Sequence, residues 1–208
     1  MTENTARPVN IKKLFFNPVS IMLILFSIPY LLSWQMIITG DSPLFKQGVS
    51  KGALIVPVRQ FPSLSFTTLD GSIVTEEVFK GKWSFLTVGP STCNAQCIDS
   101  LVTIRQVRRA MAVNRQRINR FIMLTDQEDL SQFKALVADE QHGLKVLLVT
   151  ETTQQAFEKV LNPDGDVLDA GVYLIDPLGN LMMYYAPGIE GKKILKDIQR
   201  LFKVSKIG

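Results

Sequence analysis

Cys93 and Cys97 are the only thiols in a chain of 208 residues, and they stand four positions apart. A pair so spaced has two chemistries open to it. As thiolates, one sulfur attacks a partner disulfide and the other resolves the mixed disulfide that forms. As soft donors, the same two sulfurs hold a soft metal ion such as Cu(I). Two cysteines are too few to staple a chain of this length into a disulfide framework. The single histidine, His142, rules out a multi-histidine metal site within one chain.

The elements around the pair favour the thiolate. Trp83 to Val88 is an apolar, β-rich run bounded by Gly81 and by Gly89-Pro90, which reads as a buried central strand. The cysteines follow it, and Ile98, Leu101, Val102, Ile104, Val107, Ala110 and Met111 then recur at spacings of three and four. A helix is expected to start around the cysteines and run to about Val113 or beyond. With Cys93 at its start and Cys97 one turn in, both sulfurs face one side, where backbone N–H groups and the helix dipole favour negative charge. Cys93, nearer the loop, is expected to be the more accessible and so the attacking sulfur. Oxidation is expected to join the two.

The rest of the chain supplies a sheet. Leu64 to Thr68 reads as a strand, with Asp70-Gly71 as a hairpin turn before Ile73 and Val74, and Glu76 to Phe79 as a helical turn. Phe121–Leu124 and Val146–Val149 read as buried strands separated by the helix of Leu130, Phe133, Leu136 and Val137. Thr153 to Leu161 is a short helix. Val172–Ile175 and Leu181–Tyr185 pair through the turn Asp176 to Asn180, and Ile194, Leu195, Ile198, Leu201 and Phe202 mark a final amphipathic helix. This order predicts an α/β fold, a mixed sheet flanked by helices on both faces.

A different solvent is implied for the N-terminal part. Leu14 to Gly40 holds no ionisable side chain apart from Tyr30, and 19–39 is almost wholly apolar. About 20 helical residues cross a hydrocarbon core of about 30 Å, so 19–39 is read as a transmembrane helix. A cleaved signal peptide is the rival, but the run exceeds an ordinary apolar region and no small-x-small site follows Trp34, Gln35 and Met36. Tyr30 and Trp34 suit the far interface. Arg7, Lys12 and Lys13 lie on the tail (1–18), which places the N-terminus in the cytoplasm and the rest outside an inner, cytoplasmic membrane, in an extracytoplasmic or periplasmic space. Residues 40–60, with Gly40, Pro43, Gly48, Gly52 and Pro57, are expected to be a linker, and 61–208 the domain proper.

The net charge of +4 invites a nucleic-acid reading that its distribution removes. Beyond residue 13 there are twenty basic against eighteen acidic side chains, with no basic run interleaved with aromatics. One local excess stands out. Arg105, Arg108, Arg109, Arg115, Arg117 and Arg120 fall where no acidic residue occurs between Asp99 and Asp126. Their spacing puts several on one helix face, either solvated or turned to an acidic partner or anionic headgroups.

Gly71-Ser72, the run Phe79 to Leu86, the segment TVGPSTCNAQC and the later VYLIDPLGN together resemble the Sco/SenC family of thioredoxin-like proteins. The likeness spans about 61–203, and the preceding single anchor matches the family layout. The resemblance implies a thioredoxin-like fold and a role in assembling the copper centre of cytochrome c oxidase, by thiol-disulfide exchange or Cu(I) transfer. It implies Cys93 and Cys97 as the catalytic and metal-binding thiols, and the oxidase copper-site subunit or its assembly factors as partners. The sequence departs from the family at Asn94 and Ile98, where prolines are common. It also carries Asp164 to Gly171 where the family's histidine ligand is expected. His142 sits after a different helix and is not carried over; Asp166, Asp169, Met182 and Met183 are conceivable substitutes, although the methionines suit packing on a strand. Without the imidazole the pair suits thiol exchange or transient Cu(I) better than a permanent copper site. A non-catalytic copper-binding or docking module is the alternative.

Overall fold

In the computed structural model, which describes residues 17–39, 50–138, 143–161 and 170–208, the chain divides into two units, one ending at Val49 and one running from Ser50 to Gly208. Among the described residues of the first unit there is one helix, Pro18–Thr39 (α1), which continues through Pro29. At 22 residues it is about 33 Å long, and among the described residues it is the one helix long and apolar enough to cross a membrane. The rings of Tyr30 and Trp34, one turn apart, stack with centroids 6.5 Å apart.

The second unit runs β1 (Ala53–Gln60), β2 (Ser65–Thr68), β3 (Ile73–Thr75), a 3-10 turn (Glu76–Phe79), β4 (Trp83–Gly89), α2 (Ala95–Ala110), a second 3-10 turn (Ala112–Arg117) and β5 (Ile118–Leu124). It continues with α3 (Leu130–Leu136), β6 (Leu144–Leu148), α4 (Glu151–Leu161), β7 (Val172–Ile175), β8 (Asn180–Tyr185) and α5 (Gly191–Val204). One mixed sheet collects all eight strands in the order β1-β8-β7-β4-β5-β6-β2-β3. The β4, β5 and β6 strands are parallel, joined by helical crossovers, and the remaining neighbours are antiparallel. Parallel strands in the middle must be covered on both faces, and β4 is buried at every position.

Alternation along the strands sorts the core into two layers. Phe85, Ile118, Ile122 and Leu124 pack with Leu101, Ile104 and Val107 of α2, Phe133 of α3 and Ile194 and Ile198 of α5. On the other face Leu86, Val88, Phe121 and Met123 pack with Phe66, Phe79 and, from α4, Phe157 and Leu161. Helices therefore flank both faces, as the alternation of strand and helix patterns predicts.

Two expectations need correction. The stretch 40–60 is not linker throughout, because Ala53–Gln60 is an edge strand paired with β8. Proline lacks the N–H that a ladder needs, which hides a strand from sequence reading but is tolerated at an edge; Pro57 lies in the part of β1 where the register with β8 shifts. The arginine group is also not a single helical face. Arg105, Arg108 and Arg109 belong to α2 and Arg115 and Arg117 to the 3-10 turn, whereas Arg120 is on β5 and only 2% exposed. The helical periodicity simply stops at Ala110, five residues before Arg115.

Candidate functional site

The cysteines sit where β4 hands the chain to α2, at the carboxyl ends of the parallel strands, the usual place for a site on an open α/β sheet. Asn94 is the N-cap of α2 and its side-chain oxygen accepts from the Cys97 N–H at 2.9 Å. Cys93 thus lies just outside the helix and Cys97 in its first turn. The two are joined by a disulfide with their Cα atoms 5.3 Å apart. Asn94 occupies a position where the resemblance leads one to expect proline; here the residue serves as a cap, a role for which asparagine is among the best side chains.

The loop that carries Cys93 is held from two sides. The Cys93 N–H donates to Pro90 O at 3.0 Å, closing a tight turn, and Cys93 adopts φ +36°, in the left-handed region that side chains with a Cβ rarely occupy. Two residues earlier, the Ser91 N–H donates to the Asp126 carboxylate at 3.1 Å and the Ser91 hydroxyl donates to the same group. The Asp129 N–H in turn donates to Ser91 Oγ at 3.1 Å, and the Thr125 N–H to Gly89 O at 3.0 Å. The segment after β5 therefore clamps the segment after β4. A further tie joins the pre-β7 chain to both: Ser100 Oγ donates to Ala170 O at 2.6 Å, and the Ala170 N–H to Val88 O at 3.0 Å.

Both cysteines are buried, Cys97 completely and Cys93 with 2% exposure. The oxidised pair therefore presents almost no sulfur to solvent. Met183 shares the apolar layer of the cysteines, yet its sulfur accepts from the Tyr185 hydroxyl at 3.8 Å, and Met182 is half-buried against that layer. His142, Asp164, Asp166 and Asp169 lie outside the described residues. Among the described residues no group of three or more histidine, cysteine or acidic side chains could hold a metal ion. Cysteine pairs alone suit Cu(I) as a passing cargo; they do not make a resident Cu(II) centre, which wants nitrogen donors.

Sequence reading found the thiols and missed their supports. Asn94, three residues before Cys97 and ahead of a helix-periodic run, carries an N-cap signal. Asp126 lies two residues beyond the end of a buried parallel strand, the side of an open α/β sheet on which sites form. No comparable local signal marks Ser91, whose role depends on a partner 35 positions away.

Residues 83–205 match the family model described as transmembrane-like, thioredoxin-like, C-terminal domain. No curated protein matches the chain in sequence. Among solved structures, the copper-bound ScoI of Bradyrhizobium japonicum is similar at 22% identity and TM-score 0.54, over 68% of this chain and 98% of that one. The thioredoxin domain of a Bacteroides vulgatus thiol-disulfide oxidoreductase is similar at 16% identity and TM-score 0.52, over 71% and 99%. BsSco, described as having a disulfide switch and as a member of the Sco family of cytochrome c oxidase assembly proteins, is similar at 16% and 0.54, over 74% and 99%. These likenesses establish a thioredoxin-like fold with Sco/SenC proteins among its structural neighbours.

Proposed function

The chain belongs to the family of transmembrane-like, thioredoxin-like C-terminal domains, and from that premise we propose a membrane-anchored thiol-disulfide exchange protein of Sco type that serves the assembly of a cytochrome oxidase copper centre. One observation carries the reading: Cys93 and Cys97 are bonded to each other at the start of α2, on a loop delivered by the central strand. The N-terminus lies in the cytoplasm, α1 crosses the inner membrane once, and the domain works on the far side, where disulfides persist.

In the reduced protein the Cys93 thiolate attacks one sulfur of a disulfide on the partner, whose S–S bond breaks and whose other sulfur leaves as a thiolate. Cys97 then attacks the Cys93 sulfur, which closes the internal bond and expels the partner's second thiolate. Two electrons pass from the pair to the partner, and a dithiol donor resets the pair. The start of α2 supports the negative charge on sulfur at each stage. The partner is the copper-site subunit of the oxidase, or an assembly factor acting on it, with its own cysteine pair to be reduced before metal enters.

Cu(I) transfer through the same thiolates is a second reading, favoured by the copper-bound state of the ScoI relative. Anaerobic Cu(I) titration of the reduced full chain, beside its thiol-disulfide potential, separates the two. Exchange requires that a mild oxidant close the Cys93–Cys97 bond in mass spectrometry; free thiols alone would overturn it. Transfer requires Cu(I) bound by the reduced protein and lost in Cys97→Ser; equal binding by both removes it.

A further inference from the structure

The arginine group that thiol chemistry leaves unused is part of a larger surface. Arg117, in the 3-10 turn after α2, places its guanidinium 4.3 Å from the Phe202 ring centroid and donates to the carbonyls of Ser205 and Ile207 and to an oxygen of Gly208 at 2.8–3.1 Å. It thereby fastens the end of α2 to the end of α5, and the Gly191 end of α5 also packs on Thr103 and Val107 of α2. The turn after α2 and the segment after α5 are held against each other.

The composition of this region is one-sided. No acidic residue occurs from 100 to 125 or from 198 to 208, while Arg109, Arg115, Lys203 and Lys206 are exposed there. Asp176, beside the Pro177 that Gly208 abuts, uses its carboxylate on the Leu178 and Asn180 N–H groups. Burial, and secondarily the charge of Arg115, lowers the pKa of Arg108. Among these cations three apolar side chains point to solvent: Val113 and Val204, each 81% exposed, and Ile207, 53% exposed. Isolated apolar tips rimmed by basic groups suit the boundary between headgroups and acyl chains.

We propose that the patch of Val113, Arg115, Lys203, Val204, Lys206 and Ile207 docks the domain on anionic phospholipid headgroups. The occupant follows from the tether. Between Thr39 and Ala53 the chain reaches at most about 50 Å when fully extended, and a domain of this size is about 40 Å across. Given the membrane span of the proposed function, on which this inference rests, every face of the domain stays within reach of the bilayer. Effective concentration then favours headgroups over any soluble acidic protein.

The test is hydrogen exchange on the full chain in nanodiscs of phosphatidylcholine alone or with phosphatidylglycerol. Slower exchange at 112–117 and 203–207 is expected only with phosphatidylglycerol, and high salt should abolish it. Arg115→Gln and Lys203→Gln should each weaken docking about fivefold, while exchange in β4 and β5 stays unchanged as a check on folding. Equal exchange in the two lipids overturns the patch, as does protection that appears only on adding an acidic protein. A chain that fails to enter the discs overturns the span and the patch together.

Discussion

Cys93 and Cys97 owe their placement to three residues that do no redox chemistry, Asn94, Ser91 and Asp126. Asn94 fixes the first turn of α2, so Asn94→Ala should cost about 1 kcal/mol and lower the midpoint of thermal unfolding by roughly 2–4 °C. Asp126 satisfies the buried Ser91 from both its N–H and its hydroxyl. Asp126→Ala should destabilise the domain by about 1–3 kcal/mol, measured by urea titration, because it strands those donors. It should also speed reduction of the internal disulfide by a small-molecule dithiol, since the loop that covers Cys93 loses its clamp. Unchanged reduction kinetics in a destabilised variant would mean that opening starts elsewhere, for instance at the Ser100–Ala170 tie. The thiols themselves were legible from residue type and spacing. Their burial was not, because it depends on chain segments brought in from β5 and β7.

At the scale of elements, β4, β5, the two hairpins and the helices α2 and α5 follow from apolar periodicity, and the sheet assembles them as the patterns predict. The strand β1 was hidden by Gly52 and Pro57, and its outward residues Leu54, Val56 and Val58 look like linker because they are exposed in the fold too. What holds β1 in place is tertiary. The Asp197 carboxylate, on α5, accepts from the Lys51 N–H at 2.7 Å, the Gly52 N–H at 3.1 Å and the Tyr185 hydroxyl at 3.4 Å. A Cβ on Gly52 would fall 2.5 Å from the Tyr185 ring, so the close approach needs glycine. Asp197→Ala should raise amide exchange across Lys51 to Ile55 well before the rest of the sheet opens, and should cost about 1.5–3 kcal/mol or more. Across the sheet, Glu76 holds the start of β2 by accepting from the Leu64 N–H at 2.9 Å, and that bond pulls its pKa below 4.5. A depressed carboxylate contributes stability that is present above its unfolded value and is lost as pH falls through the folded one. The stability difference between wild type and Glu76→Gln should therefore persist at neutral pH and disappear in acid, which denaturation at a series of pH values will show.

The molecule as a whole joins a helix suited to lipid with a domain suited to water, and its charge is distributed to match. A net charge of +4 is modest, but it gathers on the N-terminal tail and on the joined ends of α2 and α5. A reporter enzyme active only outside the cytoplasm, fused after Gly208, should be active, and proteolytic cutting within residues 40–49 should release the domain from membranes in high salt. Inactive fusions would reverse the orientation. The division into an apolar helix and a separate domain was readable from hydropathy alone, whereas the basic surface needed the fold, since Arg117 and the oxygens it meets are about 90 positions apart.

The Asp197 bonds also have a mechanical meaning. In the anchored protein proposed above, a pull on the segment before Ser50 meets the Lys51 and Gly52 amides, both held by one carboxylate on α5. Tension is passed to that helix and through it to the core, ahead of the β1–β8 ladder. The joint thus spares the edge strand and loads the layer in which α5, β4 and the disulfide pack together.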